Sequence, residues 1–225
     1  MVLAWATEAY DKSIITDKET MGIPLHWADT HAYLKVIRHL IEQPNEFYKA
    51  LSRGVEQAAS IYGGREFALS FGKNEMPGYH TGPGAYIGYI IGARHSHLDN
   101  AGYSVDQKVL TKQKLDPEEL VHTLLKEEQW RQILSSCVIC FFARGIYTPD
   151  IVSKALSVAG HEASLDALYD LGRKIHKAKY NFKIREGFSF DTLHIPERIY
   201  STSLPVNGLD AEYIRRALEY AKKIL

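Results

Sequence analysis

The stretch Asp116–Leu134, DPEELVHTLLKEEQWRQIL, decides the fold. Asp116 offers an N-cap oxygen. Pro117 suits the first helical position, where no backbone N–H is needed, and Glu118 and Glu119 put negative charge at the positive end of the helix. Leu120, Leu124, Trp130, Ile133 and Leu134 then recur at helical intervals and mark a buried side. The same signals recur towards the carboxyl end. Thr148-Pro149-Asp150 opens a helix that Gly160 stops, Ser164 caps one from Leu165 to about Ile184, and Asp210 or Ala211 begins a terminal helix with Tyr213, Ile214, Ala217 and Ala221 in phase. The apolar run Cys137–Phe142 is expected to carry the chain through the interior.

Towards the amino end, Leu3–Ser13 is a short amphipathic helix. Asp29 or Thr30 caps a helix through Gln43, in which Leu34, Ile37, Leu40 and Ile41 share a face, and Pro44 ends it. Asn45 starts another to about Tyr62, with Phe47, Leu51, Val55, Ala58 and Ala59 inward and Gly63-Gly64 as its stop. Residues 67–71 form one short strand or an extended connector, with no second convincing strand to pair with. The expected fold class is all-α and multihelical, with little or no β-sheet. Two packed helical subdomains, 1–72 and 73–225, meet near Gly72.

Lys plus Arg and Asp plus Glu both number 27, so the formal net charge is zero and no global field favours nucleic acid or an anionic membrane. Neither is expected as a partner, and any anion site must be local. The first residues show no basic segment followed by an apolar core, and no apolar run approaches the ~20 residues that cross a bilayer, so the expected location is cytoplasmic. The two cysteines, Cys137 and Cys140, are no secreted disulfide framework and point to reducing conditions, burial or a metal. No nucleophile elbow supports a histidine-dependent hydrolase.

Met76–Ser104, MPGYHTGPGAYIGYIIGARHSHLDNAGYS, is the stretch most like a site. Its glycines let backbone approach a bound group, while His80, Arg94, His95 and His97 supply donors, a proton acceptor and positive charge suited to a large anionic ligand. The alternative is a turn at Gly82-Pro83-Gly84 followed by a tightly packed buried helix. Asp99, Asn100 and Asp106 organise the turn after the histidines on either reading.

Three segments in order resemble the tungsten-pterin aldehyde:ferredoxin oxidoreductase family. In residues 3–72, WATEAYDKSIIT, GIPLHWAD and EFYKALSRGVEQAASIYGG are similar to its second domain, including an L-x-x-G-V-x-x-A pattern. Met76–Ser104 sits where the family has a proline-rich loop, a glycine-rich helix, and an arginine followed by a metal-proximal histidine. LGRKIHKAKYNFKIREGFSFDTLHIPERIYSTSL (171–204) resembles its N-x-R-E-G-F and D-x-L-P-x-R run, where Asn181, Arg185, Glu186 and Gly187 fall on the first motif. The resemblance implies the C-terminal two helical domains of an enzyme that oxidises aldehydes to carboxylates and passes electrons through a [4Fe-4S] cluster to ferredoxin. The completed enzyme would hold tungsten (or molybdenum) on a bis-pterin, with none of these groups stably bound to this chain alone. The remainder would come from a separate N-terminal polypeptide carrying pterin and Fe–S motifs, or the chain would be a truncated product of a split gene; alone it would be inert.

By the same resemblance His97 is the metal-proximal histidine that handles a proton, with His95 as its rival; the alternative is a capping or solvent-facing histidine at a helix end. The Arg94 guanidinium suits a pterin phosphate or a carboxylate, or equally a surface ion pair. Cys140 falls at the fourth cluster ligand, the end of a D-x-x-G-L-C motif, which places Ser135 and Ile139 in the pterin-contacting loop. Ser135 stands where the family has aspartate and Val138 where it has glycine. These departures favour the alternative, a non-catalytic helical scaffold that has lost the redox site. Fe–S clusters usually take four thiolates, so two cysteines cannot close one. Both are otherwise small buried hydrophobes, and a Cys₂His₂ zinc site with His95 and His97 lacks zinc-finger spacing. Arg185 and Glu186 are expected to pair or cap, and Phe188 and Phe190 to fill the core. Asp191 through Arg198 would fasten the end of the chain.

Overall fold

The structure, a computed structural model, describes all 225 residues and is multihelical, with a single two-stranded β-ribbon. The chain divides into two compact units: Met1–Pro77 with Leu193–Ser203, and Gly78–Thr192 with Leu204–Leu225.

The first unit begins with α1 (Val2–Asp11) and α2 (Asp17–Thr20), the latter started by a Thr16–Glu19 capping box. In α3 (Thr30–Glu42) the Asp29 carboxylate accepts from the Ala32 N–H at 3.0 Å. The single helix expected from Asn45 to Tyr62 is two: α4 (Glu46–Ser52), capped by Asn45, and α5 (Val55–Tyr62). Gly54 divides them at φ +102°, a conformation open to glycine, and Glu75 accepts the N–H of Val55 at 2.8 Å in place of a helical carbonyl. Phe47, Leu51, Val55, Ala58 and Ala59 all point inward as expected, packed with Trp5, Ala6 and Ala9.

The face of α3 is reversed from the sequence expectation. Ala32 and Val36 are its buried positions, whereas Leu34, Ile37 and Ile41 are exposed, Ile41 by 79%. Only Leu40 of the expected stripe packs partly against the core. The ribbon pairs β1 (Ser70–Phe71) with β2 (Asn74–Glu75), Ser70 opposite Glu75.

In the second unit α6 (Pro83–Ile91) is buried at every position. It is followed by α7 (His97–Asn100), α8 (Gly102–Val105) and a wide turn of helix over Asp106–Leu110. The Asp116–Glu119 capping box starts α9 (Pro117–Ser136), whose Leu120, Val121, Leu124, Ile133 and Leu134 are buried. Then come α10 (Pro149–Val158) and α11 (Leu165–Arg185), the second capped by Ser164. The helix α12 (Arg198–Ser201) belongs to the first unit, where Arg198 pairs with Glu8 and lies over Phe67. Capped by Asp210, α13 (Ala211–Ile224) closes the chain against α9, and Lys222 pairs with Asp191. No helix is long and apolar enough to cross a membrane.

The run Cys137–Phe142 does not cross the interior. Cys137, Val138, Cys140 and Phe142 are exposed, Val138 by 91% and Phe142 by 97%, because α9 ends at Ser136 and the chain turns outward on a left-handed Val138 (φ +57°).

Candidate functional site

The segment after α6 is organised by two buried carboxylates. Asp106 accepts from the N–H groups of Gly84 at 2.7 Å and Ala85 at 2.9 Å, and from the Thr81 hydroxyl at 2.7 Å. The positive end of the glycine-rich helix thus receives an anion from the chain itself. Burial raises the Asp106 pKa above the usual carboxylate value, and the three donors oppose that shift. Asp99 accepts from the Arg94 N–H at 2.9 Å, Arg94 Nε at 2.7 Å and the Ser96 N–H at 3.1 Å. Arg94 is therefore held as the partner of Asp99, with its side chain still half exposed.

His95 is buried in a left-handed turn (φ +55°), and its Nδ1 donates to the Tyr89 carbonyl at 2.8 Å. Burial and then the Lys183 ammonium push its pKa down to about 4. Lys183 donates to the Gly92 carbonyl at 3.2 Å and sits 3.7 Å from the Phe188 ring centre; burial brings its own pKa to about 8. A neutral His95 stabilises the fold above the imidazole's ordinary value near 6.5. That contribution disappears as pH falls through the window from 6.5 to about 4, because the unfolded chain takes up a proton that the native state refuses. Its size is about 3 kcal/mol. His95→Asn, which tolerates the left-handed backbone, is expected to flatten the pH dependence of unfolding in this window, as measured by denaturant titration. An unchanged slope would place the acid sensitivity elsewhere.

His97 is half buried at the first position of α7, after the Ser96 cap. Its ring lies 4.9 Å from that of Tyr79, which stacks on Tyr103 at 4.3 Å. Burial, with Arg131 and Arg94, lowers its pKa, while Asp99 opposes them, so the ring is a neutral proton acceptor near pH 7. The two histidines therefore differ in kind: His95 is fixed in packing, and His97 is within reach of solvent. His80 contacts the Tyr86 hydroxyl.

Sequence patterns gave no sign of the polar network behind this segment. Glu128, fully buried, accepts from the Ala93 N–H at 2.9 Å and from Asn100 Nδ2 at 3.4 Å, and lies 3.4 Å from His176 Nε2. Arg131 donates to the Leu98 carbonyl at 2.9 Å and lies 5.0 Å from the Phe141 ring centre. One guanidinium thus touches the neighbours in sequence of both His97 and Cys140.

Cys137, Val138, Ile139 and Cys140 line a hollow of about 480 Å³ with Tyr147, Val152 and Leu156, and His97 is not among its lining residues. Ser135 is exposed and Ile139 half buried. No three of the chain's His, Cys, Asp and Glu side chains converge as metal ligands, so the set Cys137, Cys140, His95 and His97 does not assemble for zinc. In the C-terminal motif, Arg185 and Glu186 pair at 3.6 Å on the surface, and Asn181 is exposed. Phe188 and Phe190 meet edge to face, half buried against His95 and Tyr180.

The chain is thus mostly α-helical and presents imidazole and thiol groups that complete no metal site of their own. The family described as aldehyde ferredoxin oxidoreductase, domains 2 and 3, matches residues 1–223, and the chain belongs to it. A tungsten-containing aldehyde ferredoxin oxidoreductase of Thermococcus kodakarensis is 26% identical over 198 residues, covering 82% of this chain and 32% of that protein. One from Pyrococcus horikoshii is 24% identical over 218 residues, covering 90% of this chain and 35% of that protein. The chain spans about a third of the length of the curated relatives it matches.

Proposed function

We propose that this chain is the C-terminal helical part of an aldehyde-oxidising enzyme that passes electrons to ferredoxin, completed by an amino-terminal portion that carries the pterin and the other cluster ligands. In family terms residues 1–72 correspond to part of the second domain and 73–225 to the third. The observation that carries the reading is Val138. A β-branched residue in the left-handed region is a costly conformation, and it occurs where the resemblance puts a glycine. A left-handed backbone at this position, with Cys140 exposed at the end of the loop, supports the reading of a ligand loop.

The residues present fit the implied groups as contributors. Cys140 would supply one thiolate, Ser135 and Ile139 would border the pterin, and Arg94, already paired with Asp99, would offer its remaining guanidinium N–H groups to a phosphate or carboxylate. The metal and cluster, when bound, accept the two electrons of aldehyde oxidation. His97, kept neutral by burial and two guanidinium groups, takes up a proton at a ring nitrogen as the aldehyde is hydrated and oxidised. His95 orients the turn from behind through Tyr89.

The test is co-expression with a polypeptide bearing C-x-x-C-x-x-x-C and D-x-x-G-L-D, followed by assays of iron, tungsten and viologen-linked aldehyde oxidation. His97→Ala is expected to lower kcat by roughly 10²-fold or more with metal content unchanged, and Cys140→Ser to lower iron. An unaffected rate removes His97 from the chemistry. Failure of any partner to restore metal or activity favours the scaffold reading, for which the loss of the loop aspartate at Ser135 is the supporting observation.

A further inference from the structure

The second unit contains a cleft of about 640 Å³ between the end of α8 and the turn of helix after it, the middle of α9 and the starts of α10 and α11, a volume suited to a small organic ligand. It stands apart from the Cys140 hollow and is not lined by His95 or His97. Its charge is strongly one-sided. Lys108, Lys126, Arg131 and Arg144 line it, against the single carboxylate of Glu127.

The four cations are not equally engaged. Arg144 is tied to the Phe141 carbonyl at 2.6 Å, and Glu127 is taken by Arg131 Nε at 2.8 Å. Lys108 and Lys126 are exposed and form no ion pair. Arg131 is only 2% exposed, yet its Nη2 has no hydrogen-bond partner although Nε and Nη1 are both satisfied. A buried guanidinium N–H left without an acceptor is a costly arrangement, and Arg131 is among the residues that line this positively charged cleft. Trp130 and Tyr169, ring centres 5.7 Å apart, form an apolar wall beside it.

We propose that this cleft binds a small organic oxyanion, a carboxylate or phosphate on an apolar body. The anion bonds to Arg131, with Lys108 and Lys126 closing over it, and the body lies against Trp130 and Tyr169. This inference does not rest on the redox proposal: Arg131 enters that proposal only through its charge beside His97, and the other residues of the cleft do not enter it.

The experiment uses the 225-residue chain and follows its three tryptophan indole N–H signals by NMR as benzoate or inorganic phosphate is added at low salt. Only Trp130 lines the cleft, so one indole signal, identified by Trp130→Phe, is expected to shift saturably in the millimolar range. The shift should weaken with ionic strength. Tighter binding of benzoate than phosphate would show that the body is read along with the charge, and equal binding that the oxyanion alone is read. Lys108→Gln with Lys126→Gln, both at exposed positions, is expected to raise Kd roughly tenfold with the spectrum otherwise intact. Arg131→Lys, which keeps the charge but loses the fork, should weaken binding further. No saturable shift, a common shift of all three indoles, or an unchanged Kd in the double-lysine variant would overturn the proposal.

Discussion

Gly102→Ala is expected to unfold the second unit, or to cost about 4 kcal/mol or more, which puts it in the exceptional class of single substitutions. A Cβ at residue 102 would overlap the carbonyl of Gly84. The reciprocal Cβ at residue 84 would lie 2.6 Å from the Gly102 carbonyl oxygen. Helices α6 and α8 meet here backbone to backbone, so neither neighbour has a flexible side chain that could move aside. Gly78→Ala is the control, because its Cβ would meet nothing within 4 Å. Urea unfolding followed by circular dichroism should separate the two variants widely. A Gly102→Ala midpoint close to that of Gly78→Ala would show that the contact relaxes cheaply.

Asp106→Ala is expected to cost about 4 kcal/mol, since it strips acceptors from two buried amides and a hydroxyl at once. Asp106→Asn, which keeps one acceptor oxygen, should cost roughly half as much. The pH dependence distinguishes this account from simple cavity formation. Burial raises the folded-state pKa of Asp106, so its titration contributes stability below the ordinary carboxylate value and loses it as pH rises through the raised one. The deficit of the alanine variant should therefore widen at acid pH. A deficit that shrinks on acidification would mean that the carboxylate is not held as described.

Signals written within a few residues of chain were legible. The Asp116 capping box, Pro149 at the start of α10, and the Ser164 and Asp210 caps all act locally, and those helices begin where the sequence puts them. The break at Gly54 was hidden because Phe47, Leu51, Val55, Ala58 and Ala59 stay in helical phase across it. Periodicity located an apolar stripe on α3, but it carries no information about which side of a helix is covered. There the core took the small Ala32 and Val36 and left Leu34, Ile37 and Ile41 outside. Hydropathy likewise misplaced Cys137–Phe142, since an apolar composition does not reveal that a loop turns outward. Partners distant in sequence were the least visible: Glu128 with Ala93, Asn100 and His176, and Asp106 with Gly84, join positions that no local pattern links. Only the family resemblance singled out His97 and Cys140 among the histidines and cysteines. The difference between a packed His95 and an accessible His97 needed the tertiary arrangement.

The outward-facing loop also bears on how the polypeptide behaves after synthesis. Val138, Phe142 and Ile146 present greasy side chains to water beside two thiols that air can oxidise. A chain with nothing over this loop is expected to stick to itself at high concentration and to form mixed disulfides on standing, so purification gains from reductant and dilution.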